Sequence, residues 1–290
     1  MNGSLASAWS NTATATTQSA STTGSYLSAV TADAPVSHWR LGETSGTSAV
    51  DARGANNGTY RNGALLGQTS LLSTDTASRA VRLDGGNDDV SVPDSASLDL
   101  TSALTIEAWI KPDLVPAAGS WASVVTKAES YSLQFNGPQL ELTVIQNGTR
   151  RRLDAPSGTI VAGRTYHVVA TYDGANQRIY INGAEVASRA QTGGATITSW
   201  PLTIGSWNGG GENFRGTVDE VAVYNKALAA SRVQAHYQAG GPVASSTATT
   251  FRTRAKKVRR VRGWKLSPAQ RRTFARKGPG QKRTRALPKR

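Results

Sequence analysis

The last forty residues of the chain, Phe251 to Arg290, carry seventeen Lys or Arg and no Asp or Glu. Of the 33 basic residues, 16 remain in residues 1–250 against all 19 acidic ones, a net charge of −3 there. One polypeptide thus joins two physically different objects. The first 250 residues can fold as an ordinary, slightly acidic body. The last forty cannot bury a core among so many like charges and must meet a polyanion or a partner surface. The pI near 10.4 is a property of this tail.

Ahead of the tail, 18% charged residues over the whole chain and 29 glycines favour short strands joined by many turns over long, salt-bridged helices. The length left after the tail and a biased N-terminus suits one all-β sandwich. Cysteine is absent, which excludes disulfides, thiolate metal sites and a cysteine nucleophile. No apolar run reaches a membrane-spanning length, so membrane insertion is not expected. The N-terminus lacks the basic and apolar regions of a secretory signal peptide. The expected setting is the cell interior, or a non-Sec route out, such as assembly into a particle released on lysis.

Residues 1–34, rich in Ala, Ser and Thr, read as a flexible arm or linker. From Val36 strand signals recur: Val36–Leu41, Ala80–Leu83, Asp89–Val92, Leu104–Lys111, Ser123–Thr126, Tyr131–Phe135, Gln139–Gln146, Tyr166–Asp173, Gln177–Ile181, Glu185–Ala190, Leu202–Gly205 and Phe214–Tyr224. Between them stand Gly85-Gly86, Asn147-Gly148, Asp173-Gly174 and Asn182-Gly183, which supply positive φ cheaply; Asn182-Gly183 is the strongest hairpin signal. In Leu104–Ile110, alternation places Leu104, Ile106, Ala108 and Ile110 on a core face and Thr105, Glu107 and Trp109 on the other. One helix is expected in the body, Leu228 to Gln238, stopped by Gly240-Gly241-Pro242. The fold class is therefore all-β, a two-sheet antiparallel sandwich with one short C-terminal helix. The body spans 35–240, a linker 241–250 and the basic tail 251–290.

Six ordered blocks carry a family signature: Val36–Gly46 (VSHWRLGETSG) with Asp51–Thr59 (DARGANNGT), Ala80–Pro93, Leu104–Pro112 (LTIEAWIKP), Tyr166–Asp173 (YHVVATYD), Ile179–Gly183 (IYING) and Phe214–Leu228. Over residues 35–240 the chain resembles laminin G-like, concanavalin A-like lectin jelly rolls of bacterial and phage type, such as domains of phage minor tail proteins. The resemblance implies two curved sheets packed face to face, with ligands at a rim or on the concave face. It also implies a Ca²⁺ site from Asp51, Asn57 and the Arg53–Asn57 carbonyls together with Asp219, although Asp51 can equally close an Asx-turn on its own backbone.

Retaining glycosidases of this fold need two carboxylates about 5 Å apart, commonly from a Glu-x-Asp-x-x-Glu strand, and no such spacing exists here. Asp219-Glu220 are adjacent on a strand, which sends them to opposite faces, one to an ion or turn and the other to solvent. The three histidines, His38, His167 and His236, are scattered without zinc-site spacing. The chain reads as a non-enzyme. Trp121, Trp200, Trp207, Asn208 and Asn213 lie in loop-like stretches and suit glycan recognition, by stacking on sugar C–H faces and hydrogen-bonding hydroxyls, or packing beneath long loops. Trp39 and Trp109 lie in strands and read as core. Arg150-Arg151-Arg152 suits an anionic ligand or a solvated sheet edge.

In the tail, Arg252, Arg254, Lys256, Lys257, Arg259, Arg260 and Arg262 form a dense cationic run. Ser267-Pro268-Ala269-Gln270 reads as a helix start, giving a short helix 268–277 that carries Arg271, Arg272 and Phe274, with Trp264 just before it. Three partners fit: DNA or RNA, an acidic protein surface such as a capsid or tail subunit, and an anionic polymer or lipid. The favoured expectation is a lectin-like module on a phage virion, anchored by the tail and facing host-surface glycans. A nucleic-acid-associated protein with the sandwich as scaffold is the alternative, and an extracellular glycan-binding protein the third.

Overall fold

The computed structural model describes residues 25–241. Residues 1–24, the linker, the basic tail and the expected helix 268–277 lie outside the described residues. In chain order the strands are β1 (Ser37–Trp39), β2 (Ser48–Ala49), β3 (Gly58–Arg61), β4 (Leu65–Thr69), β5 (Arg79–Asp84), β6 (Asp89–Val92), β7 (Leu104–Pro112) and β8 (Trp121–Lys127). They continue as β9 (Tyr131–Asn136), β10 (Gln139–Gln146), β11 (Thr149–Asp154), β12 (Tyr166–Tyr172), β13 (Asn176–Ile181), β14 (Ala184–Ala190), β15 (Leu202–Ile204) and β16 (Arg215–Tyr224). Helix α1 (Tyr26–Ala32) precedes them and α2 (Ala230–Gly240) follows.

Two antiparallel eight-stranded sheets form the expected sandwich. Sheet A runs β14-β13-β12-β7-β16-β5-β4, with β1 also on β16; sheet B runs β11-β10-β9-β8-β15-β6-β3-β2. Period-2 alternation builds the core between them: Leu104, Ile106, Ala108 and Ile110 of β7 meet Leu133, Phe135, Leu142 and Val144 of sheet B, all buried. The turns behave as their residues dictate. Asn147-Gly148 and Asn182-Gly183 take φ of 49° and 72°, and 53° and 80°, the paired positive angles of a two-residue hairpin turn.

The second face of β7 is also buried. Thr105, Glu107 and Trp109 point away from the sandwich core and are covered by α1 and α2, which pack on each other across sheet A. Helix α1 departs from the expected arm: Ser25 caps it by accepting from the Ser28 N–H at 3.3 Å, and Tyr26 and Val30, one helical turn apart, are buried in this outer cluster. Ser25–Ala34 thus belong to the packed body. Strands β2, β3, β4 and β11 were also not anticipated. β11 is the Arg150–Arg152 run itself, tolerated as a strand because it lies at the edge of sheet B.

Candidate functional site

The outward face of sheet B is polar. In β9, Ser132, Gln134 and Asn136 alternate with the core residues Tyr131, Leu133 and Phe135; in β10, Glu141 and Thr143 alternate with Leu140, Leu142 and Val144. Register sets Trp121 opposite Asn136, Ser123 opposite Gln134, and Gln134 opposite Glu141. Glu141 is the hub. Its carboxylate accepts from Arg150 Nη2 at 2.6 Å, Asn136 Nδ2 at 3.0 Å, Gln134 Nε2 at 3.3 Å and the Thr143 hydroxyl. The Arg150 guanidinium, so oriented, lies 4.1 Å from the centroid of the Trp121 ring. Burial, together with hydrogen bonding and repulsion from Glu141, pushes the Asp154 carboxyl above its ordinary range.

The loop between β15 and β16 borders the same face. Ser123 is its anchor: its N–H donates to the Glu212 carbonyl at 2.6 Å and its hydroxyl to the Glu212 carboxylate at 3.3 Å. Burial raises the Glu212 carboxyl. At the other end of the loop, Ser206 donates to Asp89, which Arg61 clamps with two bonds of 2.7 and 2.6 Å. A groove of about 370 Å³ opens beside Trp121, lined by Leu114, Val115, Pro116, Asn213 and Arg215 among others.

Of the residues expected to meet a glycan, Trp121 and Asn213 share this groove. Asn213 holds its place by donating to the Gly86 carbonyl at 2.5 Å. Trp207 and Asn208 lie on the same loop in a tight turn, with Asn208 at φ 47° and the Trp207 N–H on the Gly211 carbonyl, and they do not line the groove. Trp200, 47% exposed, stands elsewhere. Its carbonyl accepts from Lys127 Nζ at 2.9 Å, at the end of β8 remote from Trp121, roughly 20 Å away along the strand. Trp39 is core as expected, whereas Trp109 belongs to the outer cluster under the helices.

The calcium set does not fit a cation. Asp51 Oδ1 accepts from the N–H groups of His38 (2.8 Å) and Arg53 (2.9 Å), and Oδ2 from those of Ala55 (3.2 Å) and Asn56 (3.0 Å). Four backbone donors use the lone pairs that an ion would need. Asn57 Oδ1 is likewise taken, by the Asp51 N–H at 2.8 Å. Asp219 keeps other company: its Oδ2 accepts from Ser70 Oγ (2.9 Å) and the Leu71 N–H (2.8 Å). Burial and the neighbouring Glu220 push its carboxyl up to about 8, so at neutral pH it is largely a neutral acid, a poor calcium ligand. Among the described residues no group of three or more His, Asp or Glu is arranged for a metal.

The sequence reading of Asp219-Glu220 also needs correction. A bulge interrupts the β16–β7 register here, with Glu220 at φ 51°, and both carboxylates are buried. Glu220 is paired to His38 Nε2 at 2.6 Å and to Arg40 at 2.9 Å, so it does not face solvent.

Residues 84–234 match the family described as the concanavalin A-like lectin/glucanases superfamily, which is 151 of 290 residues. The chain belongs to this superfamily. The sandwich is therefore a lectin-like jelly roll, as the resemblance implied. The same fold recurs in the receptor-binding domain of botulinum neurotoxin C/D mosaic serotype (TM-score 0.56, 12% identity, 71% of this chain and 51% of that one). It recurs in the botulinum neurotoxin serotype D ligand-binding domain in complex with N-acetylneuraminic acid (0.57, 14%, 74% and 52%). Domain 4 of an extracellular arabinanase from Geobacillus stearothermophilus, in complex with arabinotriose, is similar at 0.51 and 21%, covering 70% of this chain and 98% of that one. The chain spans about half the length of the toxin domains that it matches. No curated protein matches it in sequence. As in other members of the superfamily, what the fold does is decided by the residues set on it.

On this chain, the sequence reading singled out Trp121 and Asn213, which share the groove, and did not single out Arg215, which also lines it, or the Glu141, Asn136 and Gln134 network on the neighbouring face. The signal was available in part: Ser132, Gln134 and Asn136 form a strictly alternating polar stripe, which marks a strand whose second face is not core.

Proposed function

We propose that the jelly roll is a non-catalytic glycan-binding module and that the groove beside Trp121 is its site. The observation that carries this reading is the juxtaposition, in one groove, of the Trp121 indole with the polar side chains of Ser120, Asn213 and Arg215. A sugar offers an apolar C–H face and a rim of hydroxyls, and this arrangement answers both. A toxin ligand-binding domain, about half of which this chain matches, is in complex with N-acetylneuraminic acid, and the arabinanase domain with arabinotriose, which is consistent with it. Catalysis is not part of the reading. Glu141 is engaged by four donors and Glu212 by Ser123, which leaves neither poised as a nucleophile beside a free acid.

The test is binding of the full-length protein to an oligosaccharide array, alongside Trp121→Ala. Binding to a defined set of glycans that the substitution weakens about 10–100-fold, with an unchanged circular dichroism spectrum, supports the site. Glycan binding untouched by Trp121→Ala places it elsewhere, and no glycan binding at all removes the reading.

The wider setting is part of the proposal. The seventeen uncompensated charges of Phe251–Arg290 suit an anchor, and a virion assembled in the host cytoplasm offers capsid or tail subunits for it to grip. DNA is the rival partner of the same charges.

A further inference from the structure

The groove beside Trp121 carries a charge with no partner. Arg215, the first residue of β16, lines it and is exposed, yet it makes no ion pair or side-chain hydrogen bond among the described residues. Asp84, opposite Arg215 in the register of β16 and β5, accepts instead from the Gly86 N–H at 2.6 Å. Asp113, whose N–H donates to the Arg215 carbonyl at 2.9 Å, gives its carboxylate to Arg82 at 2.5 Å. Glu212, three residues before Arg215, is held by Ser123. No carboxylate lines the groove among the described residues; its walls include Leu114, Val115, Pro116 and the Trp121 indole, with Ser120 and Asn213 as neutral polar groups.

Arg215 is exposed and unpaired beside an apolar wall. Its planar fork of donors matches a carboxylate in two parallel bonds. Arg215 and Trp121 line the same groove, so ring stacking and carboxylate capture can act on one ligand. Elsewhere on this face the arginines are already committed: Arg150 to Glu141, Arg152 to Glu141 and Asp154, and Arg61 to Asp89. Arg215 is the cation that a ligand entering the groove would meet.

From this geometry we infer that the ligand is an acidic glycan, whose carboxylate-bearing sugar stacks on Trp121 and is held through its carboxylate by Arg215. The inference rests on the glycan-binding reading above and narrows it to one chemical class. Two sources supply that chemistry, uronic acids and sialic acids.

Calorimetry of the full-length protein tests it with two matched pairs, trigalacturonate against its carboxyl-reduced counterpart, and a sialylated trisaccharide against the same glycan without the sialic acid. Salt is kept at about 0.3 M so that the seventeen tail charges are screened. The expected result is that the carboxylated member of one pair binds about 10–100-fold more tightly than its neutral partner. Arg215→Gln abolishes that preference, and Arg215→Lys restores part of it. Which pair responds identifies the source.

A preference that survives Arg215→Gln belongs to the tail or to another arginine and overturns the inference. Equal affinity within both pairs does the same while leaving the glycan-binding reading in place. If none of the four compounds binds, the inference falls, and the array with Trp121→Ala decides separately whether the wider reading falls with it.

Discussion

Glu107 on β7 and His236 on α2, 129 residues apart in sequence, meet at 3.0 Å in a site closed to solvent. The carboxylate also accepts from Tyr26 (2.8 Å), Tyr224 (2.8 Å) and His167 (2.7 Å). The second ring nitrogen of His236 faces Asp33 at 2.9 Å. An acceptor at each nitrogen requires both to be protonated, so His236 is an imidazolium bridging two carboxylates, and Arg232 braces Asp33 at 2.8 Å. This charge clasp ties α1 and α2 to sheet A.

Replacing Glu107 with Gln should destabilise the body by about 3–5 kcal/mol, because it leaves a buried imidazolium with half its compensation. Urea unfolding followed by tryptophan fluorescence measures this. A loss below about 1 kcal/mol would mean that the four donors around Glu107 do not depend on its charge.

The clasp also sets a pH profile. Burial alone would raise Glu107, but His236 and His167 hold it well below its ordinary value of 4.5, so its contribution is present above that pH and is lost as acid carries the solution through its folded value. Burial alone would lower His236, yet Glu107 and Asp33 raise it above 6.5, so its contribution is present below pH 6.5 and is lost as the pH rises through its folded value. The clasp is therefore strongest between pH 4.5 and 6.5. His236→Gln should flatten the alkaline decline in a series of urea midpoints.

Asp219 acts in the opposite sense to an ordinary surface carboxylate. Burial and Glu220 raise it to about 8, so folding takes up a proton, and its contribution declines from pH 3.8 until the pH passes 8. Asp219→Asn keeps an acceptor for Ser70 and Leu71 and has no proton to lose. At pH 8 it should be more stable than the parent by roughly 1–3 kcal/mol, with little difference near pH 4.

Asp51 should prove structural. Asp51→Ala strands four backbone N–H groups of the 38–56 region, a loss of about 2–4 kcal/mol that thermal unfolding would register. Adding EGTA to the parent should leave Tm where it is; a fall in Tm on chelation would restore a metal to this corner.

Deleting Phe251–Arg290 should leave the Tm of the sandwich unchanged while altering what the protein adheres to. In a salt series with duplex DNA, a steep slope in the full-length protein that vanishes on deletion assigns the tail to nucleic acid. Weak, salt-insensitive binding directs it to a protein surface instead.

The sandwich was legible in the sequence because alternation and turn chemistry are local. Asp89–Val92 and Gln139–Gln146 match their strands residue for residue, and the Asn-Gly pairs take the angles that such residues favour. Helix α1 was hidden in an Ala/Ser/Thr-rich stretch whose helical pair, Tyr26 and Val30, becomes apolar surface worth burying only once sheet A exists. Glu107 read only as a residue of the face opposite the core, because its partners come from residues 26, 167, 224 and 236, a convergence that no local pattern carries. The site was half legible for the same reason. Aromatic residues near turns stand out, whereas Glu141 becomes a hub only through register.

The packing of α1 against α2 brings the first and last described elements side by side, Tyr26 against His236 at 6.2 Å between ring centroids. A chain whose entry and exit are neighbours can be cut and rejoined. Linking Ser25 to Gly241 with a short Gly/Ser bridge and opening the Asn147-Gly148 hairpin would yield a permuted protein with the same contacts in a new order.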